Sequence, residues 1–241
     1  MANRDEIDDP RRRILLQALA TGVLGAAGIA GKAEASLFGD SPGKLPAGRS
    51  IYRMDGRVLV NGSEASRSTI IRPGDTVETA EGAEIVFVVG SDSYILRGGS
   101  KLQLQATRDP GIADALKLWT GKLLTAFAKG RHEVRTGTTV VGIRGTGIYL
   151  ESDPEETYLC TCYGITDISA LNDRSSRETV SAKHHDRPLY IAAKAQPGRA
   201  IRNAPMKNHT DMELMLIEEL VGRTPPFVFP ADDYSAPRRD Y

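Results

Sequence analysis

From Ile51 to about Ser169 the chain is a succession of short apolar or alternating runs, each closed by a pair of residues that accepts a tight turn. That punctuation restricts it to a mainly β fold. Asp55-Gly56 and Asn61-Gly62 bracket Arg57-Val58-Leu59-Val60, and both dipeptides accept the positive φ of hairpin turns. Pro73-Gly74-Asp75 is a further turn. Glu81-Gly82 precedes Ala83 to Val89, a run rich in β-branched residues that reads as a buried strand. Gly90-Ser91-Asp92 leads into Ser93 to Leu96, and Gly98-Gly99 into the alternating Lys101-Leu102-Gln103-Leu104-Gln105. Further strands are expected at Ala115 to Trp119, Lys122 to Phe127, Thr138 to Gly142, Ile148 to Glu151 and Thr157 to Tyr163. Short strands at such even spacing suit a sandwich, a barrel or a β-solenoid. No repeat period separates the three.

After Leu171 the pattern turns polar and irregular, until one helix near 211–221. Thr210 fits its N-cap, and Glu213, three residues on, completes a capping box. Met212, Leu216 and Leu220 share one face at i, i+4, i+8, and this face is expected to dock on the 172–208 region. Gly222 is a suitable stop, and Pro225-Pro226 prevents continuation. The expected division is therefore a β domain over 51–169 and an extension over 170–230 with the helix. A loose charged tail over 231–241 follows.

The first 35 residues read as an address. A polar start leads into Arg11-Arg12-Arg13-Ile14-Leu15-Leu16, an apolar run to Gly31, and Ala33-Glu34-Ala35, an A-x-A cleavage pattern. Paired basic residues, a spacer and two large apolar residues resemble the twin-arginine export signal. Cleavage after Ala35 and a periplasmic destination are the expectation, with no stable membrane span remaining. The alternative is an uncleaved anchor, since about 18 apolar residues lie at the lower limit of a bilayer span. Residues 36–50, rich in Gly, Pro and Ser, read as a linker.

Charge narrows the partners. Lys+Arg and Asp+Glu are balanced at 31 each. With the first 35 residues removed, 206 residues keep 26 of each sign. No net field draws such a chain to nucleic acid or to an anionic membrane. An envelope protein or a small ligand is the expected partner.

The order of elements resembles a known family. Gly56-Arg57-Val58-Leu59-Val60-Asn61-Gly62, then Ile71-Arg72-Pro73-Gly74-Asp75-Thr76-Val77-Glu78-Thr79, are followed by Ala83 to Val89, Leu118-Trp119-Thr120-Gly121-Lys122-Leu123-Leu124 and Thr138 to Thr146. This succession resembles the FecR domain, named for the periplasmic iron-dicitrate regulator, without the anti-sigma segment that precedes it in the best-known regulators. The resemblance covers about half of the chain. It implies a periplasmic β-rich domain that binds or relays, for sensing or scaffolding, and does not catalyse.

Three constellations could carry chemistry. Gly142-Ile143-Arg144-Gly145-Thr146-Gly147 has the spacing G-x-x-G-x-G, the reverse of a dinucleotide fingerprint, and no Gly-Lys-Ser/Thr follows. It reads as a bulge or a close approach of strands. Arg144 within it could pair with a buried carboxylate or face a partner, and is the candidate binding-surface residue. No G-x-S-x-G or H-E-x-x-H occurs, so hydrolase readings fail. Asp153-Pro154-Glu155-Glu156 reads as a solvated turn and lacks the spacing of a calcium loop.

Cys160-Thr161-Cys162 is the third. On a strand, residues i and i+2 face one side, so the two sulfurs share one space. Their Cα atoms would lie about 6.5–7 Å apart, near the upper limit for a disulfide. Two thiolates with one or two of His184, His185 and His209 would make a Cys₂His₂ or mixed site for a zinc-like transition metal, and Asp211 or Glu213 could replace one imidazole. The alternatives are a redox-labile pair or buried thiols beside surface histidines. His132 lies apart, on an expected strand.

Overall fold

The computed structural model describes residues 43–105, 115–224 and 226–227. The expected signal, the first part of the expected linker and the 231–241 segment lie outside the described residues. Among those described there are fourteen strands and one helix. The strands are β1 (Ile51–Asp55), β2 (Val58–Val60), β3 (Ser63–Glu64), β4 (Thr76–Thr79), β5 (Glu84–Val89), β6 (Asp92–Leu96), β7 (Lys101–Gln105), β8 (Ala115–Ala126), β9 (Arg131–Arg135), β10 (Thr139–Ser152), β11 (Glu156–Ala170), β12 (Arg177–Ala182), β13 (Leu189–Ala192) and β14 (Ile201–Asn203). The helix α1 is Asp211–Leu220.

The fold is a small closed five-stranded barrel with extra strands and one short C-terminal helix. Its hydrogen-bonded path runs β14-β13-β11-β10-β9-β8-β7-β4-β2-β3, and a pairing of β10 with β8 closes it on itself. β1, β5 and β6 branch from β8, and β12 from β11. Every ladder is antiparallel except β8 with β9.

Three strands are longer than expected, at 12, 14 and 15 residues. β8 joins the two segments expected at 115–119 and 122–127. Gly121 (φ 92°) lies between them, but its missing side chain lets Ser100 approach to 2.0 Å of where a Cβ would stand. That glycine bends one strand instead of ending it. In β10 the expected break at 143–147 is a register shift between Arg144 and Gly147 within one continuous strand. Each long strand serves two sets of neighbours. The second half of β10 pairs with β8 and with the first half of β11, while its first half pairs with β9 and with the second half of β11.

The region after Leu171 is not irregular. β12 and β13 both add to β11, and β14 adds to β13. The boundary expected at 169–170 therefore falls inside β11, and the sheet continues to Asn203. β12 was hidden because only Val180 and Ala182 point inward from an otherwise polar strand.

Strand alternation sorts the apolar residues onto two faces. One side feeds the large core that includes Ile85, Phe87, Leu96, Leu123, Ile148, Leu150 and Leu159. The other side carries Val86, Ile95, Leu124, Tyr149, Tyr158, Cys160 and Cys162, together with Leu214, Ile217 and Leu220 of α1. Register makes the second face orderly. Val86 pairs with Ile95, Ile95 with Leu124, Leu124 with Tyr149, and Tyr149 with Cys160, a single rung across five strands.

The helix covers that rung. Thr210 caps it, with Glu213 N–H donating to the Thr210 hydroxyl and Thr210 N–H to the Glu213 carboxylate. At the far end Gly222 (φ 74°) donates to the Glu219 carbonyl and Arg223 to that of Glu218, closing the last turn as a left-handed glycine permits. The buried face is Leu214, Ile217, Glu218 and Leu220. Of the expected Met212–Leu216–Leu220 face, Leu220 is buried and Leu216 packs at the margin of the core, but Met212 is 64% exposed. The helix packs over β6 and β8, and of the 172–208 region it meets His184 and His185 through Asp211. Glu218 is buried because the Tyr163 hydroxyl and the Arg223 guanidinium both hydrogen-bond to its carboxylate.

Candidate metal centre

Cys160 and Cys162 both lie on the helix-covered face of β11, as their i, i+2 spacing requires, and both are fully buried free thiols. His185 arrives from the β12–β13 loop. Asp186 builds this loop by accepting from the backbone N–H groups of Lys183 (2.6 Å) and His184 (3.3 Å). His185 adopts φ 51°, and its N–H donates to the Cys162 carbonyl (2.9 Å). That bond turns the ring onto the two sulfurs. His209 comes from the other side, one residue before the helix cap, with its ring stacked on Tyr149 (4.5 Å between centroids, 18° between planes). Tyr149 sits beside Cys160 in the rung, so sheet register carries His209 to the thiols.

The four groups converge. Sγ of Cys160 is 3.3 Å from Nδ1 of His185, and Nε2 of His209 is 3.0 Å from the same Nδ1. Each of the four residues offers a ligand atom, and these atoms all lie within 4.8 Å of one another. Around a tetrahedral zinc-class ion, bond lengths of about 2.0–2.3 Å place ligand atoms about 3.3–3.8 Å apart. The observed spacings bracket that range, so small shifts suffice.

The outward nitrogens are already committed. Nδ1 of His209 donates to the Lys207 carbonyl (2.7 Å). Nε2 of His185 donates to Oδ1 of Asp211 (3.0 Å). Each ring therefore aims its other nitrogen at the cluster, the arrangement in which an outer acceptor fixes tautomer and orientation for a metal. Asp211 is the first residue of α1, so its carboxylate also favours the positive helix end.

The electrostatics fit cation binding. Hydrogen bonding from the Cys162 thiol pulls Cys160 well below the usual thiol range, helped by His185 and His209 and opposed by burial. Cys162 is pushed up, by burial first and then by its charged neighbour. Burial opposes charge on His185, but the Asp211 hydrogen bond and the Cys160 sulfur outweigh it and raise the imidazole to about 9. Both shifts favour charge, negative on Cys160 and positive on His185, across a 3.3 Å contact. A divalent ion would replace the protons between them.

The remaining expected site residues fall elsewhere. His184 does not reach the sulfurs. It is half exposed and forms a separate group with His185 and Asp211, its Nε2 2.8 Å from Oδ1 of Asp211. Asp211 orients histidines instead of replacing one in the buried group. Glu213 is spent on the capping box and on Arg97. Arg144 pairs at 2.6 Å with Asp167, which is 42% exposed and not buried as one alternative required. The glycine run around it is a close approach: a Cβ on Gly147 would stand 2.5 Å from the Tyr163 ring. His132 is buried against Phe127, away from the centre. Tyr149, the platform for His209, carried no sequence signal beyond its place in an alternating run.

No protein-family model matches the chain, and no curated protein matches it. Among solved structures it is similar to two crystal structures of a "putative anti-sigma factor" from Parabacteroides distasonis, at 1.65 and 2.50 Å resolution. Identity is 10% in both, with TM-scores of 0.44 and 0.43, over 54% of this chain and 58% of that one. The chain thus spans under two thirds of that protein's length.

Proposed function

We propose that this chain is a non-enzymatic binding module of the cell envelope, built on a FecR-type β domain. Its Cys160–Cys162–His185–His209 centre holds a zinc-class ion that fastens α1 to the sheet. One observation carries the metal reading: two imidazoles, each tethered by its outer nitrogen to a separate acceptor, present their inner nitrogens to two buried sulfurs. Two sulfur and two nitrogen ligands suit zinc over calcium or magnesium. All four ligands are buried, which fits a closed, four-coordinate structural site, whereas a catalytic site keeps a position open. The same burial argues against thiol exchange, which needs an accessible sulfur.

The ion would join three parts of the chain: β11, the β12–β13 loop and the segment leading into α1. Its occupancy would then set how firmly the helix is held, which suits a sensing or scaffold role toward an envelope protein or a small ligand. The twin-arginine-like segment would carry the chain to the envelope, and the balanced charge leaves no net field to draw nucleic acid.

The test is metal analysis of protein purified from its producing cell. About one zinc-class ion per chain is expected, lost in a Cys160→Ser, Cys162→Ser variant. Metal-free protein with an unchanged fold and no uptake of added Zn²⁺ would refute the reading.

A further inference from the structure

The four ligands of the centre are buried, so an ion needs a way in. The second histidine group lies directly outside it. His184 Nε2 and His185 Nε2 stand 2.8 and 3.0 Å from the same oxygen, Oδ1 of Asp211. The side chains of His184 and Asp211 are 50% and 21% exposed, while that of His185 is 5% exposed. The three candidate ligand atoms lie within 4.8 Å of one another. His185 belongs to both groups, through Nε2 outside and Nδ1 inside.

Resting on the proposed Cys₂His₂ centre, we infer that His184, Asp211 and His185 form an outer capture position for a divalent transition-metal ion, from which the ion passes inward across the His185 ring. One imidazole between two positions places them roughly 6 Å apart, the sum of two metal–nitrogen bonds and the ring. An ion outside binds His184 Nε2, Asp211 Oδ1 and His185 Nε2, displacing the His185 Nε2 proton to water. An ion inside binds His185 Nδ1, His209 Nε2 and the two sulfurs. Protons still held on those atoms leave to water, while His185 Nε2 regains one and donates again to Asp211. No electrons move. Two nitrogens and an oxygen hold a zinc-class ion more weakly than two sulfurs and two nitrogens, so the transfer runs inward.

The experiment separates capture from residence. Metal-free full chain is mixed rapidly with Co²⁺, whose sulfur-to-cobalt charge-transfer band reports arrival at Cys160 and Cys162. Wild type should saturate at about one ion per chain with that band. His184→Ala should reach the same end point and the same Kd, with uptake slowed, because one of the three outer ligand atoms is lost. Lys183→Ala, a neighbouring loop change outside the group, should load at the wild-type rate. An unchanged rate in His184→Ala overturns the capture position and leaves the centre standing. So does weaker Co²⁺ binding in that variant at an unchanged uptake rate, because His184 would then be a resident ligand. Absence of the band in wild type overturns the centre and the capture position together.

Discussion

A zinc-class ion at the proposed centre should stabilise the fold by an amount that can be worked out. The ligands come from β11, from the β12–β13 loop and from the residue before the helix cap. They already stand within hydrogen-bond range of one another, as the 3.3 and 3.0 Å contacts at His185 Nδ1 show. Little reorganisation is therefore needed to bind, and the metal-free chain should stay folded. Binding then adds stability by linkage: at free metal a thousandfold above Kd, about 4 kcal/mol. A domain of this size gains roughly 2–4 °C in Tm per kcal/mol, so the expected rise is about 8–16 °C. Thermal unfolding followed by circular dichroism, with Zn²⁺ and with excess chelator, measures it. The Cys160→Ser, Cys162→Ser variant should melt at one temperature in both. A wild-type Tm that ignores both zinc and chelator would refute the reasoning, as would an equal zinc response in the variant.

Leu214→Ala or Ile217→Ala, each fully buried on the inner face of α1, should cost about 2–5 kcal/mol in denaturant unfolding, whereas Met212→Ala should stay within about 0.5 kcal/mol. The reverse order would mean that the helix docks through its other face. Gly147→Ala should destabilise by about 1–3 kcal/mol in the same assay, because the new methyl meets a Tyr163 ring anchored by Glu218. Asp173 gives a pH signature. Hydrogen bonds from the Ser175 and Ser176 hydroxyls, with backbone N–H groups of Gly198 and Ser175, hold its carboxyl well below the usual range. A depressed folded value contributes stability above the unfolded value of about 3.9, lost as pH falls through the folded one. The Tm gap between wild type and Asp173→Asn should thus be constant from neutral pH to about 5 and shrink in stronger acid; a gap unchanged down to pH 2 would count against it.

The sequence by itself determined what depends on neighbours along the chain. Turn dipeptides such as Asn61-Gly62 marked a β fold, and Thr210 with Glu213 marked where the helix starts. The spacing of Cys160 and Cys162 placed both sulfurs on one side, because alternation along a strand is a local property. Tertiary structure decided the rest. The strands expected on either side of Gly121 and of Gly147 are continuous through them, because Ser100 and Tyr163, distant in sequence, need the room that a missing side chain leaves. The helix carries apolar residues on more than one face, and packing against the rung from Val86 to Cys160 buries Leu214, Ile217 and Leu220 while Met212 stays exposed. Which imidazoles reach the sulfurs was decided in the same way. His184 and His185 are adjacent in sequence, but the positive φ at His185 and its bond to the Cys162 carbonyl turn that ring inward and leave its neighbour facing solvent. His209 joins only because α1 docks on a sheet whose register sets Tyr149 beside Cys160. Contacts between residues about 25 apart depend on how loops close and elements pack, and local pattern carries no record of either.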